Sequence, residues 1–561
     1  FIYKTEMNKI KILNIKKLFF EKKYSDVIIL IESNLSDEEK NSEVLNFLGV
    51  SKLQKKNSNN FDLLSATEDF KKSYLKEKNT SQSIEGLANF IVCSIESYQY
   101  EDAIKYFKET EVSLGYISRL SNLMIRIYER LNDVDKILYY LEKRIENKDL
   151  QNHTLLRYIY YNSFQNKWTQ ENFLNYSKKI EKTLPTYSKK KLISIYNKKN
   201  KKIKLAFLSS DIRKKHPVTK FLKTVVENVN RDKFELLLFS NCKINKEDKT
   251  SEAFKVYFDK WTNISELNDI EGINKIRENK IDIIVDIMGL TSTNRIALFK
   301  NRLAQLQILW LGYNNTSGLS QMDYFIADTN LIKKNEVNLY SEKILFLPSI
   351  WNCHSGFELQ RKEYPTPMIE NKFITFGSFN DFNKISDDVV ETWSKILIKI
   401  NNSKLILKSS DTHSNNTLKR KFKKTGVLNS IIFMSRKEIF EDHLNEYKKI
   451  DIALDTFPYN GVTTSFEAIW MCVPLLTLKG FNPNSRSGES INKNLNMNYF
   501  IANNKQEYVS KAIDLFNNFE KIIDAKKYLF NKALDSNLFN SKKFSKEFFE
   551  NLEKIYFKNI P

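Results

Sequence analysis

Up to about residue 195 the apolar residues recur at helical spacing. The stretches "EKKYSDVIILIES", "LLSATEDFKKSYLKE", "YQYEDAIKYFKET" and "RLNDVDKILYYLEKR" share one order: a turn, an acidic helix start, then apolar positions three and four apart. Val27, Ala66, Ala103 and Ile137 take the equivalent small or apolar position in the four stretches. The last two lie 34 residues apart, the period of tetratricopeptide repeats; the earlier spacings of 39 and 37 require insertions or degenerate repeats. A helix pair of this kind cannot bury its apolar face alone, so stacked neighbours supply the core and leave a groove. A plain helical bundle has the same periodicity and stays open as an alternative.

Near Lys201 the period changes. "KIKLAFLSSD", "FELLLFSN", "IDIIVDIMG", "QLQILWLGY", "DYFIADT" and "KILFLP" read as short buried strands with helical segments between several of them, the pattern of a mainly parallel sheet. "YPTPMIENK", from Tyr364, carries two prolines and reads as a linker. A second alternating set follows: "FITFGSF", "KLILKSS", "IIFMS", "DIALDTF" and "PLLTLKG". The pattern predicts helical repeats over 1–195, one doubly wound α/β lobe over 201–363, a second over 364–535, and a terminal helix over 536–561. Two such lobes in tandem enclose a cleft, and their ligands sit beyond the carboxyl ends of the strands.

Composition narrows the classes. At 561 residues, with 41% hydrophobic and 13% aromatic residues, the chain can build several cores and is not of disordered type. The net charge of +21 comes from dispersed lysines, not from a basic segment interleaved with aromatics, so nucleic acid is not the expected partner. Cys93, Cys242, Cys353 and Cys472 stand far apart without a CxxC pair, which argues against a disulfide framework or zinc site and for a reducing, cytoplasmic compartment. No apolar run approaches the ~18 residues of a membrane-spanning helix. The start, "FIYKTEMNKIKILNIKK", has no signal-peptide core, and because it begins with Phe, residue 1 need not be the true start.

The candidate chemistry concentrates in "DTFPYNGVTTSFEAIWMCVPLLTL", Asp455 to Leu478, where a buried strand runs through a turn into a helix. A helix start offers unsatisfied N–H groups and partial positive charge to a phosphate. Gly461 permits close backbone approach, Thr463 and Thr464 add hydroxyl donors, and Glu467, one turn in, can accept from a ribose diol. Thr464-x-x-Glu467 equally fits a capping box that only starts a helix. Lys384, in "GSFNDFNKISDD", sits at another strand-to-helix junction, where its ammonium can neutralise a leaving diphosphate; a solvated lysine fits the same position. His216, in "LSSDIRKKHPVTKF", follows the first strand and suits proton handling, or is a hydrogen-bonded loop residue. His443, on a helix ahead of the phosphate-side strand, can cap a base or sugar, or is an ordinary helix residue. P-loop, GxGxxG and HExxH motifs are absent. The only short Asp-x-Asp, Asp133-Val134-Asp135, lies in the helical region, so diphosphate charge falls to Lys384 and helix termini and no metal or other cofactor is expected.

Taken together, "SSDIRKKHPV", "NRLAQLQILWLGYNNTSG", "MDYFIADT", "YSEKILFLP", "FGSFNDFNKI", "HLNEYKKIDIALDTFPYNGVTTSFEAIWMCVPLLTL" and "SRSGES" resemble, in order and spacing, the O-GlcNAc transferase family of nucleotide-sugar glycosyltransferases. The resemblance covers roughly 201–530, and the repeats more loosely. It implies a GT-B arrangement of two Rossmann-like lobes behind tetratricopeptide repeats that recruit a protein acceptor. It implies inverting, metal-independent transfer of GlcNAc from UDP-GlcNAc to Ser or Thr; UDP-hexose with Asn acceptors and GDP-fucose are alternatives within the family, and a repeat scaffold with inactive lobes is an alternative outside catalysis. By the same resemblance His216 lies near acceptor and sugar, Lys384, Thr463 and Thr464 at the diphosphate, His443 at the nucleoside and Glu467 at the ribose. Departures are Asn314-Asn315 in place of Pro-Gly, Leu290 in place of His, Val462 in place of Gly or His, and Asp381 near the nucleotide in place of Gln or Asn. The long insert between the lobes of animal members is missing.

Overall fold

Small and apolar residues at helical spacing stack the first part of the chain into antiparallel helix pairs. The structure, a computed structural model, describes residues 2–187, 202–214, 216–291, 293–408, 412–435 and 437–559. Its contacts divide it into two units, Phe1–Asp149 and Leu150–Pro561. Among the described residues of the first unit, eight helices run from Ile2–Phe20 to Val134–Glu146. Val27, Ala66, Ala103 and Ile137 are fully buried, one in the second helix of each pair. Ion pairs link positions about one repeat apart: Lys71–Asp102 at 2.7 Å, Lys78, in the turn after its helix, to Glu109 at 3.1 Å, and Lys143–Glu111 at 2.9 Å. Ser42 and Ser73 exchange hydroxyl-to-carbonyl bonds of 2.7 and 2.8 Å in the core, leaving neither hydroxyl unsatisfied.

The second unit holds two parallel sheets. In the first, β1 (Ile203–Ser209), β2 (Phe234–Ser240), β3 (Lys260–Asn263), β4 (Ile283–Asp286), β5 (Leu306–Leu309), β6 (Tyr324–Ala327) and β7 (Lys343–Phe346) lie in the order β3-β2-β1-β4-β5-β6-β7. In the second, β8 (Thr375–Ser378), β9 (Lys404–Lys408), β10 (Ile431–Met434), β11 (Ile452–Leu454), β12 (Leu475–Leu478) and β13 (Ile501–Ala502) lie in the order β10-β9-β8-β11-β12-β13. Both sheets reverse their winding between the third and fourth strands of these orders, between β1 and β4 and between β8 and β11, which are the topological switch points where α/β sheets bind ligands. The short edge strands β3 and β13 are additions to the expected set. β3 is mostly half-buried and β13 spans two residues, so neither shows the long apolar run of a central strand.

The expected end of the helical region near 195 falls within 188–201, outside the described residues. The division between units lies earlier, and the helices Asn152–Asn162 and Gln170–Thr183 belong with the sheets. Gln170 Nε2 donates 2.7 Å to Asn315 Oδ1, and Lys300 Nζ donates 2.7 Å to the Glu181 carbonyl. At Gly318 (φ +77°) a Cβ would lie 2.2 Å from the Ser177 carbonyl carbon, so only glycine lets the loop meet this helix. Helical periodicity shows that a face is apolar, not which neighbour covers it.

The Tyr364 linker contains a short helix, Pro367–Asn371. The terminal helix, Ser541–Asn559, crosses back onto the first lobe: Phe548 meets Trp310 at 4.9 Å, Phe549 meets Phe234 at 4.8 Å, and Tyr556 OH donates 2.7 Å to Asp282. The lobes are also joined directly. Arg486 Nη2 donates 2.8 Å to Glu336, and Ser490 Oγ donates 2.6 Å to the buried Asp328 carboxylate.

His354 sits where the two lobes meet, its ring 4.2 Å from Phe357, 5.0 Å from Phe221 and 5.7 Å from Phe466. Its Nδ1 accepts 3.0 Å from the Gly356 N–H, while Nε2 is buried without a partner. Burial, helped slightly by Lys220, pushes its pKa down to about 3. The unfolded chain therefore takes up a proton below the ordinary histidine pKa while the folded chain does not, and stability falls as the pH drops from about 6.5 towards 3. By pH 5 the loss should reach about 2 kcal/mol. His354→Phe should cost about 1 kcal/mol at pH 7, because the Gly356 N–H loses its acceptor, yet shed that part of the acid dependence. Urea titrations of both proteins at pH 7 and 5 check this; equal acid losses would contradict it.

Candidate nucleotide-sugar site

β8 delivers Phe379, Asn380 and Asp381 to the edge of the second sheet. The Asp381 carboxylate accepts 2.9 Å from the Asn383 N–H and so starts the single turn Phe382–Lys384. This short acidic side chain is exposed, and its local role is to fix the turn that presents Lys384. Lys384 is half-buried; its Nζ donates 2.9 Å to the Asn460 carbonyl and stands 4.3 Å from the centre of the Tyr459 ring. Burial lowers its pKa to about 8, against the attraction of Asp381 and Asp455.

β11 delivers the facing wall. Asp455, fully buried, accepts 2.7 Å from the Gly461 N–H and 2.7 Å from Thr477 Oγ1; burial raises its carboxyl to about 7, against those bonds and Lys384. The helix Thr463–Trp470 starts after Val462, with no side-chain cap. The capping-box alternative for Thr464 and Glu467 is therefore not what forms. Thr464 Oγ1 donates 3.0 Å across to Asn380 Oδ1, and Glu467 turns to other partners. The first amides of this helix thus keep their positive end without a side-chain acceptor, beside a lysine. Thr463, the first helical residue, is half-buried at that end. A Cβ on Gly461 would fall 2.5 Å from Thr464 Oγ1 and 2.9 Å from Asn380 Oδ1, so the Thr464–Asn380 bridge requires glycine.

Glu467, 4% exposed, lies 3.1 Å from His443 Nε2 and accepts 3.0 Å from Tyr447 OH. Tyr447 OH also lies 3.2 Å from the Thr464 carbonyl. Phe379 and Phe440 flank the His443 ring at 5.6 and 5.7 Å, and His443 Nδ1 is buried without a partner in the ligand-free chain. Asp381, Lys384, His443, Gly461, Thr463, Thr464 and Glu467 thus lie around one switch point of one sheet.

His216 belongs to the other lobe. It follows β1, and its Nε2 lies 3.5 Å from the buried Asp211 carboxylate. Burial lowers its pKa below the usual histidine range, with Asp211 opposing and Arg213 assisting. At the end of β4, which pairs with β1, Asp286 accepts 2.9 Å from the Met288 N–H and is raised to about 6 by burial. Among the departures, Asn315 spends its Oδ1 on Gln170 and Val462 precedes the first helical turn. Asn380, Tyr447, Asp455 and Tyr459 were not singled out from sequence. Tyr447 follows His443 at i, i+4, a spacing that puts both on one helical face, and this was the one available signal. Among the described residues no three His, Cys, Asp or Glu side chains gather as metal ligands.

Two parallel-sheet lobes, joined by a returning terminal helix and carrying an uncapped helix start beside a lysine at a switch point, form the GT-B arrangement of sugar-nucleotide transferases. The chain belongs to glycosyl transferase family 41, whose profile matches residues 174–357 and 353–548. It is 31% identical over 323 residues to the "Probable UDP-N-acetylglucosamine--peptide N-acetylglucosaminyltransferase SPINDLY" of Hordeum vulgare, covering 56% of this chain and 34% of that protein. To the corresponding protein "SEC" of Arabidopsis thaliana it is 25% identical over 370 residues, covering 64% and 37%. The chain thus spans about a third of the length of the curated relatives it matches. A mutant O-GlcNAc transferase of Thermobaculum terrenum superposes with a TM-score of 0.75 at 21% identity, over 89% of this chain and 95% of that one, and shows the shared fold.

Proposed function

We propose that the chain transfers GlcNAc from UDP-GlcNAc to Ser or Thr hydroxyls of protein acceptors, with inversion and without a metal. The observation that carries this reading is Lys384, held on the Asn460 carbonyl beside the uncapped start of the helix Thr463–Trp470. That pairing supplies fixed positive charge where a diphosphate leaves, and such preorganised charge is the largest usual contribution to group transfer. The acceptor oxygen forms a bond to the anomeric carbon as the bond from that carbon to the diphosphate oxygen breaks; the leaving diphosphate takes the electron pair, and the hydroxyl proton passes to a diphosphate oxygen and on to solvent. Lys384, Thr463, Thr464 and the helix amides hold that charge. His443, fixed by Glu467, faces the nucleoside, and Glu467 lies within reach of the ribose. His216, uncharged near neutrality because of its burial, accepts a hydrogen bond from the acceptor hydroxyl and orients it. The groove of the helical repeats recruits the acceptor protein.

The names of the relatives support the donor, and the family supports the reaction class. Cysteines 93, 242, 353 and 472 are free and buried, which suits the cytoplasm, and no described helix is long and apolar enough to cross a membrane. The test offers UDP-GlcNAc, UDP-glucose and GDP-fucose separately, with and without EDTA, and follows nucleotide release and the linkage formed on Ser, Thr or Asn by mass spectrometry. UDP release from UDP-GlcNAc, unchanged by EDTA, is the expected result. Turnover of another donor alone would reassign the sugar, and failure of both UDP and GDP to bind would leave a scaffold.

A further inference from the structure

We propose that Tyr459, backed by Phe164, is a positioning residue for the Lys384 ammonium, so that the segment ahead of the first lobe supplies the outer wall of the donor site. The proposal rests on the transferase reading for its consequence, and on geometry for its substance. Among the described residues Lys384 Nζ has one hydrogen bond, to the Asn460 carbonyl, and it lies over the Tyr459 ring at 4.3 Å. The two nearby carboxylates are engaged elsewhere: Asp381 on the Asn383 N–H, Asp455 on Gly461 and Thr477. A carboxylate placed directly on the ammonium would cancel the charge the diphosphate needs. An aromatic face holds a cation in place while leaving its charge uncancelled.

The ring is itself held. Thr456 Oγ1 donates 2.7 Å to the Tyr459 carbonyl, and Asn460 Nδ2 donates 2.8 Å to the Thr456 carbonyl, closing the loop on itself. Phe164 meets the Tyr459 ring at 5.3 Å and is 1% exposed. Two residues on, Asn166 Nδ2 donates 2.6 Å to Asp388 at the start of the helix Asp387–Lys399. Residues 164 and 166 precede the span covered by the family profile, which begins at 174, yet they anchor on the second lobe at the lysine's own loop.

Two measurements decide it. In the ligand-free chain, acylation of Lys384 across pH, read by peptide mass spectrometry, gives its titration midpoint without any donor. Tyr459→Leu keeps an apolar side chain there but removes the π-face, so the midpoint should fall by about half a pH unit, whereas Tyr459→Phe should leave it in place. UDP affinity, read by ligand-observed NMR, should weaken about tenfold in Tyr459→Leu, and Phe164→Ala should give part of that loss. In a Lys384→Ala background Tyr459→Leu should have no further effect, because the interaction it removes is already gone. An unmoved midpoint, or an equal loss of affinity in both backgrounds, overturns the proposal. Absence of UDP binding in the parent chain would count against the transferase reading, and the acylation measurement would still decide the role of Tyr459.

Discussion

Replacing Lys384 by alanine is expected to lower kcat/KM for the sugar-nucleotide donor by about 100- to 1,000-fold, mostly in kcat. Among the described residues, the ammonium is the one cationic side chain bound to the loop ahead of the helix Thr463–Trp470, through the Asn460 carbonyl at 2.9 Å. Its attraction grows as the bond to the diphosphate breaks, because the leaving group gains charge in the transition state. An interaction stronger in the transition state than in the ground state appears in kcat. The fold should survive, since alanine removes a charge that burial already disfavours. The pH dependence makes a second, independent check. Diphosphate binding needs the protonated amine, and in the free chain that form is lost as pH rises through about 8. Binding restores it, so UDP binding takes up a proton above pH 8 and weakens about tenfold per pH unit there. The terminal phosphate is fully ionised by then and adds no slope. Lys384→Ala should bind weakly with no such slope. A parent affinity flat from pH 7 to 10, or a variant that keeps full turnover, would remove Lys384 from the mechanism.

Much of this architecture was legible because two signals were strong. Buried parallel strands appear as continuous apolar runs, and β1, β2, β4 and β11 all coincide with such runs. Helix starts at strand ends assign Gly461, Thr463 and Lys384 to one sheet edge from the sequence alone. What was not legible is pairing between segments distant in sequence. The Thr464–Asn380 bridge spans 84 residues, and the Lys384–Asn460 bond 76. Local reasoning offered Glu467 as a cap for Thr464, whereas the folded chain gives it His443 and Tyr447 from a different helix. Tertiary partners of a polar side chain override its nearest sequence option wherever burial makes an unpaired group costly. The same limit explains the unit boundary. Apolar faces on Asn152–Asn162 and Gln170–Thr183 look like further repeats, but Gln170 finds its partner at Asn315 in the first lobe.

Gly461→Val should cost at least about 100-fold in UDP affinity while leaving most of the folding stability in place. The added Cβ would stand 2.5 Å from Thr464 Oγ1, 2.9 Å from Asn380 Oδ1 and 2.9 Å from Ser465 Oγ. These are side-chain atoms, so the chain can relieve the clash by turning Thr464 and Asn380 aside. Doing so breaks their 3.0 Å bond, which is the tie between the loop after β8 and the helix Thr463–Trp470. It also moves the Thr464 hydroxyl away from the helix start and places methyl groups where a phosphate oxygen would approach the Gly461 backbone. Each loss falls on a charged ligand, for which one hydrogen bond is worth about 1.5–3 kcal/mol. Gly461→Ala makes the same first contact without the branch, so it should fall between parent and valine. Calorimetric titration with UDP, alongside urea unfolding of all three proteins, separates the outcomes. A graded loss of affinity with little change in unfolding midpoint places the diphosphate against Gly461. Unchanged affinity in the valine variant would move the diphosphate elsewhere, and with it the role assigned to Thr463 and Thr464.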